Sequence, residues 1–101
     1  MTRKPTHPGE ILKEDVLPAM GLNASQTAQM LRISRQYMSD ILNARRSLTP
    51  VLCLKIGKLA GNGPDLWMNL QSRFDLWEAA HNRDNQKILL KIPSFQELQT
   101  I

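Results

Sequence analysis

At 101 residues the chain makes one small domain with a single core. Its 13 basic and 9 acidic side chains leave a net charge of +4, a moderate bias toward a polyanionic partner that selects no function by itself. One cysteine, Cys53, excludes an internal disulfide and a thiolate zinc cluster. The absence of a signal-peptide core or a membrane-length apolar run leads us to expect a soluble, cytoplasmic protein without a membrane partner.

Residues 1–7 are a basic, proline-containing lead-in. Pro8 suits the first turn of a helix running to about Leu17, with Ile11, Leu12 and Val16 inward and Pro18 ending it. Asn23 then reads as a helix cap, and Gln26 three places on completes a capping-box pair. Ala28, Leu31 and Ile33 supply apolar contacts for a helix ending near Arg32. Ser34 is the next cap, and Met38, Ile41 and Leu42 recur at helical spacing, so they share one buried stripe. Two short helices, a tight turn and a small residue, Ala28, at the crossing make a helix-turn-helix, which pushes the start of its second helix into the DNA major groove. One departure is the turn position that often holds glycine, here Arg32.

With Met38, Ile41 and Leu42 inward, the opposite face carries Gln36, Ser39, Asp40 and Asn43, and Arg35 projects from the first turn. Arginine, glutamine and asparagine make paired hydrogen bonds to base edges. An ordinary surface helix is also polar outside, but the caps, the turn and the small crossing residue favour groove reading. Between Arg32 and Arg46 four arginines face the single acid Asp40. The pair Arg45-Arg46, just past the second helix, suits phosphate contacts; a solvated loop is the bland alternative.

Thr49-Pro50 opens a fourth helix with Leu52, Ile56 and Leu59 on its core face, and Gly61-Asn62-Gly63 terminates it. Cys53, inside the apolar run from Val51 to Ile56, reads as a packed small hydrophobe. Pro64-Asp65 starts a fifth helix that reaches about Ala80, with Leu66, Trp67, Leu70, Phe74 and Trp77 covering the core. A second stripe, Met68, Ser72, Leu76 and Ala79, has nothing obvious to bury against, so self-association is preferred over a further internal contact. Two copies also suit a palindromic site. After His81 the chain turns polar, then strand-like at Ile88 to Ile92; Pro93 breaks it, and Ser94 with Glu97 can cap a last turn. A tail folded back, a poorly ordered terminus and a partner-docking segment remain alternatives for it.

With these residues laid out, the chain resembles HigA-type antitoxins, of the Xre-like helix-turn-helix branch of bacterial toxin–antitoxin pairs. His7-Pro8-Gly9-Glu10-Ile11-Leu12 matches the family's opening "HPGEIL". Asn43-Ala44-Arg45-Arg46-Ser47-Leu48-Thr49 is similar to its "NGKRGIT", with alanine and serine for glycines. Leu66 to Leu76 is similar to its "FWLNLQARYDL". The three segments cover about residues 7 to 78 in the family's order and spacing.

The resemblance implies an all-α fold, a five-helix lambda-repressor-like helix-turn-helix domain with a short C-terminal extension. Residues 1–80 form the DNA-binding domain with its dimerising helix, and 81–101 form the tail. It implies a homodimer that binds operator DNA, represses its own operon and neutralises a HigB-type toxin, an mRNA-cutting ribonuclease of the RelE-like class. Carried over as base-edge contacts are Ser34, Arg35, Gln36, Ser39 and Asn43, with Arg45 and Arg46 on phosphates. Ala44 replaces a helix-ending glycine at a position where a left-handed backbone costs alanine more.

The runner-up is a stand-alone Xre-like regulator without a toxin, which predicts the same DNA-binding surface. An enzyme is disfavoured: the two histidines, His7 and His81, lie near opposite ends of the folded region, and no Gly-rich phosphate loop or metal-ligand spacing occurs. No cofactor, metal or small-molecule substrate is expected.

Overall fold

The computed structural model describes residues 3–100, and every regular element among them is helical. Helix α1 begins as an α-helix over Pro8–Ile11, passes through a π-helical turn at Leu12–Val16 and ends as an α-helix over Leu17–Met20. Pro18 therefore does not end it, contrary to the sequence expectation. Within the π turn the Leu17 N–H reaches back to the Leu12 carbonyl, and that extra residue lets a proline ring without an N–H be accommodated. The stop comes at Gly21, in a left-handed conformation (φ 68°), where Gly21 N–H bonds the Pro18 carbonyl and Leu22 N–H the Leu17 carbonyl.

Helices α2 (Ala24–Leu31), α3 (Arg35–Leu42), α4 (Pro50–Ala60) and α5 (Pro64–Ala80) follow. Their inner faces meet in one core of Leu12, Leu17, Ala28, Leu31, Met38, Ile41, Leu42, Leu48, Leu52, Cys53, Ile56 and Trp67. Ile11, Val16, Ile33 and Leu59 lie half-buried at its margin. Burial raises the Cys53 thiol pKa, as suits a packed hydrophobe and not a reactive group.

Two expectations for α5 need correction. Leu66 is 45% exposed and belongs to the outer face; the inward row is Trp67, Leu70, Gln71, Phe74 and Trp77. Met68 packs against the core and does not stand clear with Ser72, Leu76 and Ala79. The reason is the rotation of α5: burying Trp67 and Gln71 against the rest of the domain turns Met68 toward the core and Leu66 outward. The buried Gln71 joins the Leu48 loop to this helix. Its Oε1 accepts from the Leu48 N–H at 2.8 Å and its Nε2 donates to Asp75 Oδ1 at 2.8 Å.

The lead-in lies along the second half of α5. Lys4 Nζ pairs with Glu78 at 3.0 Å and sits over the Phe74 and Trp77 rings at 5.3 and 5.4 Å. His7 caps α1, its Nδ1 accepting from the Gly9 N–H at 2.9 Å, and its ring meets Phe74 edge-on at 4.9 Å. Gly9 is pressed against the end of α3: a Cβ there would overlap the Ile41 carbonyl.

The strand reading of the tail does not hold. Arg83–Lys91 is helix α6, capped by Asn82, whose side chain accepts from the Asn85 N–H at 3.0 Å; Phe95–Gln99 is helix α7, capped by Ser94. The apolar run Ile88 to Leu90 has no neighbouring strand to pair with, and Asn82 gives the segment a helix start instead. Ile92, extended before Pro93, is the break between the two helices. Nor is the tail folded back: residues 78–100 are exposed throughout, and the molecule measures 60 × 25 × 23 Å. Asn85 and Gln86 cap the end of α5, donating to the carbonyls of Ala79 and Ala80 at 3.0 Å each.

Candidate nucleic-acid interface

The α2–turn–α3 unit is built from local capping. Asn23 Oδ1 accepts from the Gln26 N–H at 2.8 Å, and Gln26 Oε1 accepts from the Asn23 N–H at 3.0 Å, so the box closes both ways. Thr27 is buried and donates its hydroxyl to the Asn23 carbonyl at 2.8 Å. Arg32 ends α2 in a left-handed conformation (φ 57°, ψ 47°), with the Ile33 N–H returning to the Ala28 carbonyl at 3.0 Å. A non-glycine residue pays about 1–2 kcal/mol for that conformation, and the fully satisfied turn offsets it. Ser34 Oγ then accepts from the Tyr37 N–H at 3.0 Å and starts α3.

On α3, Met38 and Ile41 are wholly buried, which points Ser34, Arg35, Gln36 and Asn43 to solvent. Ser39 is half-buried and joins Arg35 and Gln36 in a hollow that α2 closes with Ala24 and Ser25. Asn43 Nδ2 donates to the Ser39 carbonyl at 2.9 Å, while its Oδ1 accepts from Lys13 Nζ at 3.3 Å. Beyond the helix Ala44 takes a left-handed conformation (φ 58°), as the missing glycine demands, and Arg45 and Arg46 emerge exposed. The Arg46 guanidinium lies over the Tyr37 ring at 4.3 Å, and Arg45 Nε meets Asp40 Oδ1 at 3.3 Å. Sequence spacing identifies the exposed row but misses Lys13, Ser25 and Tyr37. Lys13 reaches Asn43 from 30 residues away, and only folding reveals that contact.

His7 is buried beside this end of the unit, where its Nδ1 accepts from the Gly9 N–H. Its burial lowers the imidazole pKa below 6.5, against the opposing pull of Glu10, the Arg46 backbone and Asp75. The unfolded chain thus binds the proton more readily, so His7 contributes stability that is complete above pH 6.5 and is lost as pH falls through the lowered value. Thermal melts should show His7→Asn, which keeps a capping acceptor, losing less stability than the parent between about pH 7.5 and about pH 5. Parallel losses in both proteins would remove His7 from the pH response.

Helix-turn-helix geometry, with capped α2, a three-residue turn of Arg32, Ile33 and Ser34, and a polar-faced α3, defines the class of protein. No protein-family model matches the chain. It is 40% identical over 92 residues to an HTH-type transcriptional regulator of Haemophilus influenzae, spanning 91% of this chain and 86% of that one. It is 31% identical over 97 residues to antitoxin HigA-1 of Vibrio cholerae, spanning 96% and 90%. The solved structure of Pseudomonas aeruginosa antitoxin HigA with the higBA promoter superposes with a TM-score of 0.83 at 27% identity, covering 90% of this chain and 98% of that one. The chain belongs to the family of HTH-type regulators and HigA antitoxins. Among the described residues no helix is long and apolar enough to cross a membrane, and no group of three or more His, Cys, Asp or Glu side chains could hold a metal.

Proposed function

We propose that this chain binds its operator as a dimer, represses its own operon and neutralises a HigB-type toxin by direct contact. The observation that carries the reading is the solvent-facing row Ser34, Arg35, Gln36 and Asn43 on a doubly capped helix, flanked by Arg45 and Arg46. It stands in a chain whose relative from P. aeruginosa was solved with promoter DNA. In this role Ser34, Arg35, Gln36, Ser39 and Asn43 meet base edges, and Arg45 and Arg46 meet phosphates. Ser72, Leu76 and Ala79 support self-association: all three are exposed, Leu76 by 72%, and Leu76 and Ala79 border an apolar groove with Ile88 and Leu89.

Gln36→Ala or Asn43→Ala should weaken specific binding by about 1–3 kcal/mol and relax base preference at one position. Titrations against a selected duplex and a random one check this, and equal loss on both would contradict the groove assignment. Arg46→Ala should instead weaken binding to every sequence and lower the slope of log K against log salt by about one unit.

The alternative is a regulator without a toxin, favoured by the regulator name of the 40% identical relative. Co-expression with the neighbouring reading frame, followed by size exclusion and a gel shift on the upstream promoter, separates the two. A co-eluting small basic ribonuclease supports the antitoxin role. Its absence, with the promoter shift retained, supports the regulator.

A further inference from the structure

Asp40 is the one acid among the exposed and half-exposed side chains of α3, and it is not among the proposed base or phosphate contacts. A carboxylate facing the groove is repelled by phosphate, so its retention there asks for a purpose. Its side chain is 23% exposed, and one oxygen, Oδ1, accepts from Gln36 Nε2 at 2.9 Å and from Arg45 Nε at 3.3 Å. The same atom therefore grips a proposed base reader one turn before it and a proposed phosphate contact five residues after it.

We propose that Asp40 is a positioning residue that sets which base Gln36 reads, an inference that rests on α3 being the DNA-reading helix. An amide has one acceptor and two N–H donors. The carboxylate repels Oε1 and attracts Nε2, so it fixes which way round the amide stands. One N–H is spent on Asp40, which leaves Oε1 and the second N–H side by side at the outer edge. That pair matches the N6 donor and N7 acceptor of adenine. Guanine offers two acceptors, N7 and O6, and repels Oε1. Freed from Asp40, the amide can turn and present its NH₂ to guanine. Arg45, bound through Nε, keeps its two terminal nitrogens for the backbone of the duplex, and its charge offsets that of Asp40.

The test uses the full chain and a library of random duplexes, followed by single-base variants of the selected sequence. Gln36→Ala locates the base pair concerned. At that pair Asp40→Ala should lower the preference for adenine over guanine by about tenfold. Its affinity for random duplex should hold or rise, because a negative charge is gone. Asp40→Asn, whose amide can donate to Gln36 Oε1 as well as accept from Nε2, should fall between the parent and alanine in that preference. An Asp40→Ala protein that melts like the parent and discriminates like it overturns the inference. Should Gln36→Ala itself leave every preference unchanged, the base-reading role of Gln36 fails and the inference falls with it.

Discussion

Gly9→Ala should destabilise the domain by roughly 3 kcal/mol and lower its melting temperature by on the order of 15 °C. The added methyl group lands on the Ile41 carbonyl, which is backbone and cannot swing aside as a flexible side chain would. Either α1 lifts away, loosening Leu12 from the core, or the end of α3 yields and carries Asn43 and Arg46 with it. Calorimetry reads the first outcome, and loss of duplex binding at a temperature where the variant is still folded reads the second. A melting temperature within a degree or two of the parent, with unchanged binding, would show that α1 and the end of α3 leave room for a methyl group at Gly9. The same contact explains the physical content of the segment from His7 to Leu12. Histidine caps, proline fixes the first turn, and glycine permits the approach.

Trp67→Ala should cost about 3–5 kcal/mol, a large part of the 5–15 kcal/mol by which such domains are stable. Trp67 is 1% exposed, and its indole N–H donates to Asn62 Oδ1 at 2.8 Å, tying the α4–α5 loop to the core. Urea denaturation should show a lower midpoint with the slope nearly unchanged. Asn62→Ala removes only the hydrogen bond and should cost about 1 kcal/mol. If Trp67→Ala cost no more than Asn62→Ala, the indole would be a loop tether and not the keystone of α5 packing.

Much of the fold is legible along the chain because its signals are local. Asn23, Ser34 and Thr49 are caps acting within three residues, and each does so in the structure. The exposed row on α3 follows from the inward stripe of Met38, Ile41 and Leu42 by helical periodicity alone. What resists such reading depends on neighbours distant in sequence. Pro18 is tolerated because the backbone widens by one residue, a response no propensity encodes. Leu66 and Met68 exchange roles because the rotation of α5 is set by α4 and by Gln71, a buried polar group whose partner, Leu48, lies 23 residues away. The run from Ile88 to Ile92 has β-branched residues at its ends but no strand beside it, so the Asn82 cap decides in favour of helix. The paired hydrogen bonds at Asp40 involve spacings of four and five residues, yet only coordinates reveal that one oxygen serves both.

The bare C-terminal arm has a thermodynamic consequence. A helix as short as α6 does not sustain itself in water by its own hydrogen bonds, and none of its side chains is buried within the domain. If the proposed self-association covers this face, the order of the arm is linked to it. Any surface that covers Ile88, Leu89 and Leu90 must repay the entropy of fixing the arm, which lowers the net affinity obtained from the area covered. On that proposal, dilution or a competitor for the surface should melt the arm while leaving the five-helix body folded.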